Sequence, residues 1–172
     1  MDLYTFESDE RFLNTLINSG ESQTVEFKST LKYSIRQAKE DKYLYHEVLR
    51  AICGLANSEG GIVLIGYDDD KSDFLGLDRD GFKNLEIWEN YLRNKLDADA
   101  GKMACTLIKI DFKKAYDKTF AVVNVSRANK IIMCKDAKNK NIDYFYVRTG
   151  PSTRSLSTGE AIDYISSRFT KN

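Results

Sequence analysis

The chain has 172 residues, 42% of them hydrophobic and 12% aromatic, with 26 basic and 26 acidic side chains. This is the length of one domain with enough apolar matter for a core, which excludes a disordered chain. No apolar run is long enough to span a bilayer and nothing resembles a signal peptide, so a cytoplasmic, membrane-free protein is expected.

Three cysteines (Cys53, Cys105 and Cys134) stand far apart with no CxxC, which argues against a disulfide framework and a zinc site. The zero net charge hides an asymmetry. Residues 1–100 hold 20 acidic and 12 basic side chains, and residues 101–172 hold 6 and 14. One half is suited to a cation and the other to a polyanion, unless the halves interleave and cancel.

A first helix is expected over 8–19, with Ser8 as N-cap, Phe12, Leu13, Leu16 and Ile17 as its apolar stripe, and Gly20 as its exit. Thr24–Lys28 alternates as a short strand, with Val25 and Phe27 on one face and Glu26 and Lys28 on the other. Glu21 can approach Glu26 only if it sits in a turn after Gly20. Residues 31–40 are polar and ambiguous. A long helix is expected from Asp41 to Asn57, and its Lys42, His46 and Arg50 recur at every fourth position. Such a strip can face phosphate or simply water.

Gly60 and Gly61 then break the helix. Ile62–Ile65 is a continuous apolar run, the mark of a strand covered on both faces, and Gly66 leads to Asp68, Asp69 and Asp70 at its mouth. Phe74–Leu77 is a short apolar return. Asp80 is expected to cap a helix reaching residue 96, and Trp88 belongs to its core face. Residues 103–112 and 118–126 form a predicted hairpin. Short strands follow at 130–135 and 143–148. In the second of these Tyr144, Tyr146 and Arg148 share the face opposite Phe145 and Val147. Gly150 and Pro151 make a turn, and Ser157 with Glu160 makes a capping box for a last helix reaching about Phe169. The pattern implies a single α+β domain, residues 1–172, with a mixed or antiparallel sheet, flanking helices and an N-terminal helical extension over 1–20.

The chemistry on offer is carboxylates and cations. A single histidine excludes multi-histidine metal sites, and phosphate-loop and hydrolase-elbow motifs are missing. Glu21, Glu26 and one of Asp68–Asp70 can share a hard divalent cation such as Mg²⁺ or Mn²⁺. Lys28 can neutralise charge on a phosphate, and Arg148, Ser152, Thr153 and Arg154 can grip phosphates from a loop. Each also has an ordinary reading as a surface ion pair or a turn.

The segments ESQTVEFK, ANSEGGIVLIGYDDD with FLGL after it, and DYFYVRTGPSTRSL resemble the Schlafen-type AlbA_2 domain in order and spacing, over about Glu21 to Phe169. The resemblance implies a compact α+β fold and nucleic-acid engagement. Its nuclease members cleave tRNA and related structured RNA at a three-carboxylate metal site. Glu21 and Glu26 match the first two carboxylates; Asp69 matches the third most closely, with Asp68 as the fallback, and Lys28 matches the family lysine. The expected activity is therefore a Mg²⁺- or Mn²⁺-dependent endoribonuclease, with Arg148 and Arg154 on the RNA backbone. Other members are non-catalytic DNA- or RNA-binding or regulatory domains, and a protein-interaction module is the third alternative. Eukaryotic nuclease members resemble two such lobes forming a clamp, so a homodimer is expected of a single lobe. The chain departs from the family at SRANKIIMCKD, where a proline-containing segment is usual.

Overall fold

The computed structural model describes residues 3–169. Helix α1 (Leu3–Ser19) precedes strand β1 (Val25–Lys28), and the polar stretch after it forms a ribbon of β2 (Tyr33–Ser34) and β3 (Lys39–Glu40). Helix α2 (Tyr45–Asn57) leads to β4 (Gly61–Ile65). A second ribbon, β5 (Tyr67–Asp68) with β6 (Asp73–Phe74), is followed by helices α3 (Leu85–Ala100) and α4 (Lys102–Thr106). Then come β7 (Ile108–Ala115), β8 (Lys118–Val125), β9 (Cys134–Lys135), β10 (Asp143–Tyr144), β11 (Tyr146–Thr149), β12 (Ser152–Ser155) and α5 (Thr158–Phe169).

The main sheet has the order β1-β4-β8-β7. Its β1–β4 pair is parallel, and the other two pairs are antiparallel. The chain is thus α+β with a mixed sheet, as the alternation of patterns implies. Strand β4 is covered on both faces, which is why its sequence is continuously apolar. Val63 and Ile65 join the α2 and α3 side with Leu49, Ile52, Leu92 and Leu96. Leu64 points to the opposite face, among Leu13, Leu16, Phe27 and Phe120. Val63, Leu64 and Ile65 are fully buried, and each contributes roughly 1.5–3 kcal/mol by leaving water.

The glycine pair before β4 is required by the backbone. Gly60 and Gly61 have φ of 78° and 149°. A Cβ on Gly61 would lie 2.2 Å from the carbonyl oxygen of Thr24. The bare backbone at Gly61 lets Ile62 N–H donate to that oxygen at 2.8 Å, which starts the β1–β4 ladder.

Several boundaries differ from expectation. Helix α1 begins at Leu3, so Ser8 lies inside it and is not its N-cap. Helix α2 begins at Tyr45, so Lys42 lies in the preceding turn. Helix α3 is capped by Asn84, whose side chain accepts from Ile87 N–H, and not by Asp80. Asp80 is buried at 1% exposure and accepts the N–H groups of Leu31, Lys32 and Tyr33 and the Trp88 indole. The first part of the predicted 103–112 strand is the helix α4, and β7 starts only at Ile108. The predicted 143–148 strand is broken at Phe145, and of 130–135 only Cys134–Lys135 is strand. The capping box is present: Ser157 N–H donates to Glu160 Oε2 at 2.9 Å.

Candidate functional site

The candidate residues that the fold brings together gather where the C-terminal hairpin closes on β1 and α2. β11 and β12 pair around Gly150–Pro151, placing Arg148 opposite Thr153. The hairpin lies close on α2 because residue 54 is glycine. A Cβ there would meet Thr153 Cγ2 at 2.8 Å. Gln23 clips the hairpin to the chain before β1. Its amide donates to Arg148 O at 3.0 Å, and its oxygen accepts Gly150 N–H at 2.7 Å.

Glu26 sits at the centre, at 6% exposure. Its Oε1 is ion-paired with Lys28 and its Oε2 with Arg148. The Arg148 side chain is fully buried. Its guanidinium also donates to Ser22 O at 3.0 Å, Val25 O at 2.7 Å and Thr153 Oγ1 at 3.2 Å, which engages all three of its nitrogens. Arg148 was expected on the RNA backbone. The structure turns it inward, because all of Tyr146, Val147 and Arg148 are buried and side-chain alternation no longer separates inside from outside.

Glu21 occupies the turn after Gly20, as its approach to Glu26 requires, and its Oε1 accepts Phe27 N–H at 3.0 Å. Burial pushes its carboxyl above the ordinary value. The Phe27 N–H opposes this, and the Glu26 charge adds to it.

Beside these groups lies an open cleft of about 110 Å³, lined by Glu26, Lys28, Glu47, Arg50, Ala51, Pro151 and Thr153. That is smaller than the ~300–1,000 Å³ of small-molecule sites and suits one compact group. Lys28 reaches it with a quarter of its side chain exposed. Arg50 lies 5.2 Å over the Tyr146 ring, and its NH1 pairs with Glu47 at 3.1 and 3.2 Å. Among the described residues, Arg50 Nε is a buried donor with no hydrogen-bond partner. Glu47 and the flanking Gln23, Asn57 and Ser58 carried no signal in the sequence. Asn57 holds Ile132 and Tyr146 through its amide, and Ser58 Oγ accepts Arg148 N–H at 2.8 Å.

The other expected residues do not join this cluster. His46 is buried, with Nε2 2.9 Å from Lys135 O and 3.9 Å from Cys134 Sγ, so the Lys42–His46–Arg50 strip is interrupted. Cys134 accepts a hydrogen bond from Cys53 and lies against His46, which together lower its thiol to about 6. All three cysteines are free thiols. Ser152 and Arg154 are exposed strand residues of β12, not a phosphate-gripping loop. Asp69 and Asp70 are exposed in the β5–β6 turn, and Asp68 Oδ1 accepts Lys71 N–H at 3.3 Å.

These positions bear on the expected Mg²⁺ or Mn²⁺. Both Glu26 oxygens are held by cations the fold supplies, and Glu21 is tied to the backbone. Among the described residues, no three His, Cys, Asp or Glu side chains gather so as to hold a metal ion. As folded, the donor set does not fit a three-carboxylate metal site.

The fold and cleft define a class: an α+β domain whose mixed sheet and C-terminal hairpin enclose a small charged cleft. The family model described as Schlafen, AlbA_2 matches residues 21–157, and the chain belongs to that family. The fold is similar to that of the DIP2311 protein from Corynebacterium diphtheriae, at 16% identity and a TM-score of 0.59, over 94% of this chain and 33% of that one. This chain thus spans about a third of that protein. The N-terminal domain of a putative ATP-dependent DNA helicase RecG-related protein from Nitrosomonas europaea matches at 19% identity and a TM-score of 0.46, over 88% of this chain and 82% of that one. No curated protein matches. Among the described residues, no helix is long and apolar enough to cross a membrane.

Proposed function

We propose that this domain engages nucleic acid, structured RNA of the tRNA kind first, by seating a backbone phosphate in the Lys28–Arg50 cleft. Membership of the Schlafen AlbA_2 family supports a nucleic-acid role. The observation that carries the phosphate site is Arg50 Nε, a buried donor without a partner at the wall of an open cleft. An unmet buried donor costs about 1–3 kcal/mol. A phosphate oxygen entering the cleft would meet it with a charge-assisted bond once the Arg50 side chain turns to present it. Lys28 Nζ and Thr153 Oγ1 supply further polar contacts at the same cleft. The Glu26 charge does not repel the phosphate outright, because Lys28 and Arg148 neutralise it.

A second reading is a metal-dependent endoribonuclease using Glu21, Glu26 and Asp69, or Asp68, with Mg²⁺ or Mn²⁺, and Lys28 at the phosphate. One observation favours it: Glu21, Glu26 and Lys28 come together at the end of β1, near enough for their charges to interact. It requires Glu26 to be released by Arg148.

One assay separates the two. Purified protein is mixed with a tRNA pool in EDTA and, separately, with Mn²⁺, beside Lys28→Gln/Arg50→Gln and Glu26→Gln. Binding that survives EDTA and falls in the double variant supports the phosphate cleft. Cleavage that needs Mn²⁺ and disappears with Glu26→Gln supports the nuclease. Binding unaffected by the double variant contradicts the proposed cleft. Duplex DNA as competitor ranks RNA against DNA.

A further inference from the structure

We infer that Arg148 is the resident counter-ion of Glu26, a positioning residue whose fixed charge keeps a divalent cation from being held by that carboxylate. Four features carry this. The Arg148 side chain is fully buried, and Glu26 is nearly so. The guanidinium bonds Glu26 Oε2 together with Ser22 O, Val25 O and Thr153 Oγ1, so it is anchored from β1 and from β12 independently of the carboxylate. The other oxygen, Oε1, is held by Lys28. Arg148 N–H is fixed by Ser58 Oγ and its carbonyl by Gln23, so the backbone that carries it is pinned as well.

A guanidinium held by two backbone carbonyls, a hydroxyl and a carboxylate is bonded through all three of its nitrogens, and a buried charge so placed leaves at great cost. A divalent ion reaching Glu26 from the cleft would have to displace Lys28 from Oε1 and then lie against the Arg148 charge fixed on Oε2. Arg148 thereby does two things. It joins the hairpin to β1, which shapes the cleft, and it cancels the Glu26 charge, which lets Lys28 and Arg50 present a net attraction to phosphate. The inference takes its cleft from the phosphate-site reading, but it is tested without RNA, so either can fail alone.

The test uses wild-type protein stripped of metal, labelled with ¹⁵N and titrated with substoichiometric Mn²⁺, a paramagnetic probe that broadens nearby amide signals. Amides of 25–28, 148–150, 152 and 153 should broaden no more than amides across the surface. Selective loss of these signals at low Mn²⁺ would overturn the inference. Arg148→Met is the second arm. It should gain Mn²⁺ affinity by about tenfold or more, and Arg148→Met/Glu26→Gln should lose that gain. A purely structural arginine would give no such gain, and equal Mn²⁺ binding by wild type, Arg148→Met and the double variant would also overturn it. Should Arg148→Met fail to fold, the wild-type broadening pattern decides.

Discussion

Two buried carboxylates in this chain are satisfied in opposite ways. Asp80 takes no cation. It accepts three backbone N–H groups from the turn after β1 and the Trp88 indole, and so ties that turn to α3. Glu26 takes cations on both oxygens and lines the open cleft. Neutral donors suit a carboxylate that only holds structure together, because nothing about them changes when a ligand arrives. Ion pairs beside a cleft leave positive charge available to an incoming anion. On the proposed function, the Glu26 end of the sheet is the working end and Asp80 is a staple.

Removing the staple should have the largest effect. Asp80→Ala leaves three N–H groups and an indole N–H without their acceptor, at about 1–3 kcal/mol for each donor left unmet. Denaturant unfolding should show a loss of roughly 4 kcal/mol or more, if the chain folds at all. A loss under about 1 kcal/mol would break the contrast from the Asp80 side.

Arg148→Met comes next, at about 3–5 kcal/mol, because it strands one oxygen of the buried Glu26 carboxylate, with Lys28 alone left on the other. Adding Glu26→Gln should restore much of that loss, since the stranded charge is then gone. Additive losses in the double-mutant cycle would mean that the two side chains are not a coupled pair.

Arg50→Gln should cost about 1.5–3 kcal/mol in RNA binding and less than about 1 kcal/mol in stability, since its side chain is a third exposed and its ion pair with Glu47 lies at the surface. Comparable losses in both would make Arg50 another structural residue.

The smallest effect is Glu21's. Its carboxyl titrates above its unfolded value, so between the two values the folded protein binds more protons than the unfolded one. Stability should therefore decline as pH rises from the ordinary carboxylate range through the raised value, and Glu21→Gln should flatten that slope. An unchanged slope would place Glu21 in water and away from Glu26.

The parts of this picture that a sequence can carry are those with a local pattern. The continuous apolar run Ile62–Ile65 announced a doubly covered strand. Ser157 and Glu160 announced their helix, and the condition on Glu21 after Gly20 was geometric and was met. Asp80 and Arg148 were misplaced for one reason. Asp80 is an ordinary helix-cap residue four positions from a better one, Asn84, and its true partners lie some fifty residues earlier in the chain. Arg148 alternates in sequence like a surface residue, but β11 is buried on both faces, and its partner Glu26 lies more than a hundred residues away. The Arg50 donor was legible only as a cation on a helix; that it lacks a partner is a fact of packing.

The most direct test of the phosphate cleft is the salt dependence of tRNA binding in EDTA, for wild type and Lys28→Gln/Arg50→Gln. Binding should be metal-independent, with a slope of log affinity against log salt that is shallower in the variant by about 0.7, the value for one single-strand phosphate contact. Identical slopes, or binding that vanishes when EDTA removes divalent cations, would contradict it.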